Sequence, residues 1–572
     1  MSKSFTSKQL SQLLRFLIHN WVVIGFFSFW FVYFAVFWSR AISFDPNGNL
    51  MIGHINLWGD WAVHFTMGSS MAYRQLILDT SPLLLGAPFG YPFFANWLSA
   101  MLIRLSVPFF IAFTMPSLIF SLILVITLFW FYLRLFKSKH IAVIASIIFL
   151  LNGGFGFLRY FDQVAEAPNK TEAIFYPKEK YTHNDSQNIR WISIIDSMIL
   201  PQRAFNHGFP LALLAIGWLY LFLEKLQDNR TAKSYVWAGG LVLGVLPILH
   251  THSFIAAAII LPCWFLFSVL FVKKAKKFFQ IAWLPIVIAL LLAVPLLFWL
   301  GGNADSFIRL NWGWYGAEDS SWIGFWLKNW GLTPWLALTG WAWLIKKNKG
   351  KAKIHAFGIF FPFFLIFVLA NIFLFQPHAW DNTKLFAWAS VGFSGLAALF
   401  LKQLASLDRK PIIGAGIAAL LLVTTTLSGL IDAYMIQQIS THNYMLYSRE
   451  ELDLATWVKE HTETSAIWLT GDNHNHWLYN LTGRQTMMAF RPWLWTHGYD
   501  YGPMERDISF LFTQPDKARH LISRYNIKYA VVGPNELETW KANLAAFETV
   551  FPIIHQSDRY TIFDLQPENY AI

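Results

Sequence analysis

An acidic side chain and an imidazole stand close together early in the chain, in the stretch Trp58-Gly59-Asp60-Trp61-Ala62-Val63-His64. After Gly59 the pattern predicts an amphipathic helix with Asp60 in its first turn, where the helix dipole favours the ionised carboxylate. Asp60 and His64 are i,i+4 neighbours and share one helix face. This carboxylate could serve catalysis, or it could simply cap the helix. Spacing alone leaves both interpretations open.

Cationic and imidazole groups occur near the starts of later hydrophobic segments. Arg203 could bind a phosphate through its bidentate guanidinium, or it could extend towards lipid headgroups. Lys384 closely follows Asp381, at a place where an anionic headgroup would lie, because basic pockets between spans bind lipid phosphates; an interfacial anchor is the alternative. His250 and His252 mark a turn. Two histidines at i,i+2 do not share a helix face, so they make a weak metal pair.

A third feature is Pro88-Phe89-Gly90-Tyr91-Pro92, which predicts a bend before a short interfacial helix. Tyr91 is a candidate substrate contact, with an aromatic residue of the membrane boundary as the alternative. No Asp-x-Asp pair lies near Asp60, so we predict no divalent-metal site. Phosphate-binding loops, zinc spacings and cofactor motifs are also missing from the sequence.

The composition is that of a membrane protein. Of 572 residues, 55% are hydrophobic, 18% aromatic and 13% charged, and the mean hydropathy is +0.41. The net charge of +11 does not indicate nucleic-acid binding, because the lysines cluster between hydrophobic runs. Cys263 is the single cysteine, so no disulfide can form within the chain.

Hydrophobic runs of about 20 residues predict a polytopic α-helical protein with about eleven transmembrane helices. The runs are 16–42, 108–136, 140–157, 205–223, 235–249, 254–272, 278–300, 323–344, 354–375, 385–401 and 412–435. Their basic clusters fall on one side, which predicts a cytoplasmic N-terminus and a long external loop at residues 43–107. The apolar piece 93–105 is too short to cross and is predicted to be interfacial.

We divide the chain into a membrane domain, residues 1–445, and a C-terminal domain, residues 446–572. Strand patterns at 466–470, 527–532, 550–555 and 560–564 and helix patterns at 450–461 and 516–525 predict an α/β fold. This domain follows an outgoing span, so we expect it to be extracytoplasmic.

This layout resembles the GT-C class of integral-membrane glycosyltransferases, which includes protein mannosyltransferases and aminoarabinose transferases. One span is followed by a long external loop whose early acidic residue, Asp60, opens a short helix. The segment Tyr91-Pro92-Phe93-Phe94-Ala95-Asn96-Trp97 and a long second span that ends in Arg134 and Lys137 follow. The resemblance extends from residue 16 to about residue 300.

The resemblance implies a plasma-membrane enzyme that moves a sugar from a polyprenyl-phosphate-linked donor to a glycan, lipid or protein acceptor on the extracytoplasmic face. Asp60 matches the position of the family's catalytic carboxylate and would act as general base on an acceptor hydroxyl, with His64 in support. The leaving group would be a phosphate, and our candidates to stabilise it, chosen by their location and not by a family motif, are Arg203 and Lys384, with His250 and His252 behind them. Trp61 stands where a second acidic residue often occurs, which favours a mechanism without metal.

Two alternatives remain open. A transporter or flippase of lipid-linked glycans would carry ionisable residues in the middle of several spans; Asp432 lies near a span end instead, and Arg104 is interfacial. In the other alternative the membrane part is a scaffold for the C-terminal domain, whose polar turn at residues 472–476 shows no recognisable catalytic set. Membrane lipids are expected partners in each case, and nucleic acid is not.

Overall fold

The computed structural model describes residues 7–226, 229–271, 273–301, 308–319, 321–407, 411–438 and 443–566. These residues contain α-helices that we number in chain order. The first sixteen are α1 (Ser7–Arg40), α2 (Ile55–Tyr73), α3 (Phe94–Arg104), α4 (Phe109–Phe136), α5 (Lys139–Leu151), α6 (Phe157–Glu166), α7 (Lys170–Phe175), α8 (Arg203–Glu224), α9 (Asn229–Leu249), α10 (Thr251–Trp264), α11 (Ala275–Gly301), α12 (Trp322–Trp330), α13 (Thr333–Lys347), α14 (Gly350–Ile372), α15 (Thr383–Leu404) and α16 (Pro411–Ile436).

The C-terminal part adds seven shorter helices, and ten strands form three sheets. The helices are α17 (Arg449–His461), α18 (Trp477–Thr482), α19 (Arg491–Thr496), α20 (Gly502–Thr513), α21 (Arg519–Tyr525), α22 (Pro534–Glu538) and α23 (Leu544–Val550). The strands are β1 (Ile42–Phe44), β2 (Leu50–Ile52), β3 (Arg309–Leu310), β4 (Phe373–Leu374), β5 (Tyr444–Tyr447), β6 (Ile467–Leu469), β7 (Gln485–Thr486), β8 (Ile527–Val532), β9 (Ile553–Gln556) and β10 (Thr561–Asp564). The sheet orders are β1-β2-β5, β7-β6-β8-β10-β9 and β3-β4.

The polytopic helical architecture is confirmed, with nine helices in the described residues long and apolar enough to cross a membrane. All nine coincide with predicted runs. The run 140–157 instead contains α5, whose 13 residues span only about 20 Å against a hydrocarbon core of about 30 Å. The run 323–344 is divided into α12 and α13 at Gly331. Its φ of +57° lies in the left-handed region, which residues with a side chain rarely adopt. Over the described residues the count is therefore about nine rather than the predicted eleven.

The tryptophan-rich run 323–344 packs inside the protein. Trp326 and Trp330 are both buried, with ring centroids 5.0 Å apart. Phe386 on α15 lies 4.8 Å from the Trp326 ring, and Phe367 on α14 lies 4.6 Å from it. The hydrophobicity of this run thus reflects a buried aromatic core as much as a membrane span.

The described residues separate into two compact units. One, which we call the helical unit, comprises residues 7–39, 117–294 and 308–438. The other, which we call the sheet unit, comprises residues 40–116, 295–301 and 443–566. The long loop after α1 therefore folds together with the C-terminal segment, and within the sheet unit β2 pairs antiparallel with β5.

The predicted C-terminal α/β fold is confirmed. The strand predicted at 527–532 coincides with β8, the central parallel partner of β6. β10 and β9 complete the sheet by antiparallel pairing. The two-residue strand β7 was not predicted, because two residues carry no readable alternation.

Candidate active site

Helix α2 carries Asp60 and His64, but it begins earlier than predicted. The His54 Nδ1 accepts a hydrogen bond from the Asn56 backbone N–H (3.2 Å) and caps the helix. Gly59 is consequently internal to α2, and the partly buried Asp60 lies in the second turn. The first-turn placement was wrong, and Asp60 does not cap the helix.

His64 fixes α2 against α3. The buried His64 Nδ1 lies 3.1 Å from Asn96 Oδ1, while Asn96 Nδ2 donates to Met67 Sδ at 3.3 Å. Since the amide oxygen accepts, Nδ1 of His64 carries the proton. At the other end of α3, Arg104 donates to the carbonyl oxygens of Ala72 (2.9 Å) and Met71 (3.0 Å). Both contacts limit rotation of the helix that carries Asp60.

Tyr91 belongs to a row of rings that begins at His64. The centroid of the Tyr91 ring lies 6.2 Å from that of His64 and 5.3 Å from that of His497. His497 in turn lies parallel to Tyr499 at 6.2 Å. Tyr499 donates to the carbonyl oxygen of Pro88 (2.9 Å). The row joins the first loop to the C-terminal segment and begins at His64 on α2.

The C-terminal segment also holds α2 directly, through Asn480, which sequence reasoning missed. Thr66 Oγ1 donates to Asn480 Oδ1 at 2.6 Å. The Asn480 Nδ2 donates to Tyr447 Oη (2.8 Å) and to the His474 carbonyl oxygen (3.0 Å). Asn480 is fully buried. It therefore ties α2, β5 and the polar turn 472–476 together, and the only sequence signal was the unusual density of polar residues in that turn.

His474 packs directly against α2. Its ring centroid lies 4.0 Å from that of Trp58, whose indole Nε1 donates to the Met445 carbonyl oxygen (3.1 Å). Only 8% of His474 is exposed, and burial lowers the pKa of its imidazole. His474 is therefore held neutral near pH 7.

In the helical unit, Arg203 is the first residue of α8 and is only 1% exposed. This position, inside the unit, disfavours the interpretation that it extends to lipid headgroups. His207 Nδ1 lies 2.8 Å from the Arg203 carbonyl oxygen, and its ring stacks on Phe120 with centroids 4.4 Å apart. The start of α8 is thus rigidly packed.

His250 is the single residue between α9 and α10, His252 is the second residue of α10, and both are buried. Trp388 Nε1 donates to Ser253 Oγ (2.9 Å), and Ser253 Oγ lies 2.7 Å from His250 Nδ1. The indole can only donate and occupies one of the two lone pairs of the Ser253 oxygen, so the hydrogen bond between this hydroxyl and Nδ1 can run in either direction. Neither histidine Nε2 has a hydrogen-bond partner among the described protein atoms.

Lys384 lies close to the same two histidines. Its Nζ is 2.8 Å from Asp381 Oδ1, and both side chains are largely buried. The pKa of His250 is lowered well below its ordinary value by burial and further by the charges of His252 and Lys384. A Cβ at Gly208 would come within 2.5 Å of His250 Cβ, so α8 passes directly beside this turn. Glycine is required there for steric reasons.

A buried acidic pair in the helical unit was not predicted. Asp432 accepts hydrogen bonds from the Tyr181 N–H (2.7 Å) and from the N–H and hydroxyl of Thr182 (2.9 and 2.6 Å). Lys180 Nζ lies 2.9 Å from a carboxylate oxygen of Asp196. The Asp432 contacts fasten the loop before α8 to the end of α16, the Lys180–Asp196 ion pair lies within that loop, and we assign both a structural role.

The predicted site residues thus belong to two groups, one in each compact unit. The sheet unit holds Asp60, His64 and Tyr91. The helical unit holds the cationic and imidazole groups, together with the acidic partner of Lys384: Arg203, His250, His252, Asp381 and Lys384. Within the described ranges, no group of three or more histidine, cysteine, aspartate or glutamate side chains is arranged to hold a metal ion.

No family model and no curated protein sequence matches the chain. Among solved structures, it is similar to the Archaeoglobus fulgidus oligosaccharyltransferase tethered with an acceptor peptide containing the NVT sequon, with 12% identity and a TM-score of 0.53 over 94% of this chain and 73% of that one. It is also similar to ArnT from Cupriavidus metallidurans, with TM-scores of 0.52 in the apo state (11% identity) and 0.50 bound to undecaprenyl phosphate (12% identity). Both ArnT matches cover 96% of this chain and 98% of ArnT. The chain therefore has the GT-C fold that its layout predicted.

Proposed function

We propose that this protein is a GT-C-type glycosyltransferase that takes a sugar from a polyprenyl-phosphate-linked donor and transfers it to an acceptor on the extracytoplasmic face of the membrane. The observation that carries the proposal is the fold likeness to ArnT bound to undecaprenyl phosphate, which extends over almost the whole of both chains. Fold alone does not define a reaction, so the argument also depends on two groups of residues in this chain.

On the acceptor side, Asp60 is the proposed general base, with His64 one turn away on the same helix face. The Asp60 carboxylate takes the proton of the acceptor hydroxyl as the oxygen bonds to the anomeric carbon of the sugar. The bond between that carbon and the donor phosphate oxygen breaks, and its electron pair leaves with the phosphate. Tyr91, which follows His64 in the row of rings, is a candidate acceptor contact.

On the donor side, the phosphate gains negative charge as the sugar departs. Lys384 supplies a cation, and His250 in its Nε2–H tautomer supplies a neutral donor in a buried setting where hydrogen bonds are strong. The unpartnered Nε2 of His252 lies close by, since the two imidazole centroids are 5.6 Å apart. Arg203 is a further candidate because α8 passes beside the same turn. Asp381 fixes the position of the Lys384 ammonium.

The test is to identify by mass spectrometry the lipid that co-purifies with the protein, and then to supply it to proteoliposomes. A transferase converts the glycolipid to free polyprenyl phosphate and a glycosylated acceptor. If the glycolipid crosses the bilayer with its sugar still attached, the proposal is wrong and the protein is a transporter of lipid-linked glycans.

A further inference from the structure

Helix α6 (Phe157–Glu166) of the helical unit has three distinct faces. Phe157, Tyr160 and Val164 face the protein, and Phe157 is buried. Asp162 and Glu166, at i,i+4, form an exposed acidic face. Between these two faces lies an exposed apolar stripe at i, i+3 and i+7, which consists of Leu158 (53% exposed), Phe161 (50% exposed) and Ala165. A helix between water and protein alone needs only two faces.

Contacts with α16 set the depth of α6. The Phe157 backbone N–H donates to Ser428 Oγ (2.9 Å), and the Phe157 side chain is buried with Tyr181 and Ile431. Ser428 precedes Ile436, the last residue of the membrane-spanning helix α16, by eight positions. At the α-helical rise this separation is about 12 Å, so α6 begins well inside the end of a span.

Helix α7 (Lys170–Phe175) extends the same surface. Ile174, Phe175 and Tyr176 are all exposed. The Tyr160 hydroxyl donates to the Ile174 carbonyl oxygen (3.0 Å), which joins α7 to α6. The Tyr434 hydroxyl donates to the Phe175 carbonyl oxygen (3.1 Å), which joins α7 to the last turn of α16.

This apolar surface is continuous with the exposed face of α16. Leu420, Val423, Leu430 and Tyr434 are exposed along α16 at the spacing of one helix face. On a membrane-spanning helix such a face contacts lipid, since hydrocarbon chains are its natural surroundings. Tyr434 belongs to this face and also binds α7. The exposed aromatic rings of α6 and α7 therefore begin where the lipid-facing surface of α16 ends.

We propose that residues 157–176 form a lipid-binding surface, with the stripe Leu158, Phe161 and Ala165 inserted at the boundary between headgroups and acyl chains and the acidic face in water. Amphipathic helices bury an apolar face about 5–10 Å into this boundary. The depth set by Ser428 meets this requirement, and the three faces correspond to protein, lipid and water. The bound partner is the bilayer itself, and the inference does not depend on the proposed transferase activity.

The single cysteine makes a direct test possible. In a full-length Cys263→Ser background, a nitroxide spin label is placed at Phe161→Cys or Ala165→Cys on the stripe, and at Asp162→Cys or Glu166→Cys on the acidic face as matched controls. The protein is reconstituted in liposomes of phosphatidylethanolamine and phosphatidylglycerol. Collision rates with oxygen, which partitions into lipid, and with a water-soluble nickel chelate are then measured by electron paramagnetic resonance.

We expect the ratio of oxygen to nickel collisions to be several-fold higher at 161 and 165 than at 162 and 166. Equal ratios at the four positions would show a stripe in water and would overturn the proposal. Exclusion of both reagents at 161 and 165 would show a stripe covered by protein, which also contradicts it. Ala165→Cys is the smaller change, so the test stands even if Phe161→Cys fails to fold.

Discussion

The two groups of site residues are held in different ways. In the sheet unit, α2 is fixed by contacts with residues about 400 positions later, such as the Thr66–Asn480 hydrogen bond across 414 positions. In the helical unit, His250 and Lys384 themselves bond to residues only three positions away, Ser253 and Asp381, although Trp388 in turn holds Ser253 from 135 positions away. Substitutions in the C-terminal segment should therefore affect the proposed acceptor side more than the proposed donor side.

Apart from substitution of Asp60, the largest effect is expected from Lys384→Met, which should weaken the binding of the lipid phosphate. A hydrogen bond to a charged group contributes about 1.5–3 kcal/mol, so the affinity for undecaprenyl phosphate should fall about 10- to 150-fold. Native mass spectrometry of the protein in nanodiscs measures this binding. Lys328→Met, which removes another ion-paired cation of the helical unit (2.6 Å from Asp319), is the matched control. Unchanged affinity in Lys384→Met would remove Lys384 from the donor side.

The next effect tests the long-range attachment of α2. Asn480→Leu removes the hydrogen bonds of this buried amide to Thr66, Tyr447 and the His474 carbonyl oxygen, and the Thr66 hydroxyl keeps only the Ala62 carbonyl oxygen (3.0 Å) as an acceptor. The loss should destabilise the protein by about 1–3 kcal/mol and lower the transfer rate. The thermal unfolding midpoint and turnover are the measurements, and undecaprenyl phosphate affinity should not change. The double variant Thr66→Val/Asn480→Leu should lose less free energy of unfolding than the two single variants lose together, because both changes remove the same hydrogen bond. A loss of lipid affinity in Asn480→Leu would show that donor binding depends on the contacts that hold α2, which contradicts this prediction.

A smaller effect concerns pH. Burial lowers the pKa of His474 in the folded protein, so the unfolded state binds more protons, and stability falls as pH drops below the ordinary value near 6.5. Between about pH 7.5 and about pH 5.5, the thermal unfolding midpoint of His474→Phe should therefore fall less than that of the wild-type protein. His520→Phe changes an exposed histidine and should behave as wild type. Equal pH dependence in all three proteins would mean that His474 is not held neutral.

The helical architecture could be read from the sequence because hydrophobic run length is a local property. Residues 527–532 were recognised as a strand for the same reason, as a short apolar run before polar residues. The prediction failed where a single residue changes the course of the backbone. Gly331 divides one predicted span, and His54 starts α2 before Gly59, although glycine is a poor helix former.

The candidate site was predictable only in part. Lys384 and Asp381 could be paired by their spacing, and His250 with His252 by their shared turn. That α8 passes beside this turn depends on the contact of Gly208 with His250, which no local pattern indicates. The role of Asn480 could not be predicted because it depends on a hydrogen bond to Thr66, which lies 414 positions earlier in the chain. Long-range partners of this kind become visible only in the folded chain.

The most direct test of the proposed transfer is the turnover of the Asp60→Asn protein in proteoliposomes. Asparagine has nearly the same shape but cannot accept the proton, so general-base catalysis worth about 100-fold or more should be lost while donor binding remains. Asp79→Asn, at an exposed carboxylate of the same loop, is the control and should retain wild-type turnover. Transfer at the wild-type rate by inserted Asp60→Asn protein would contradict the mechanism.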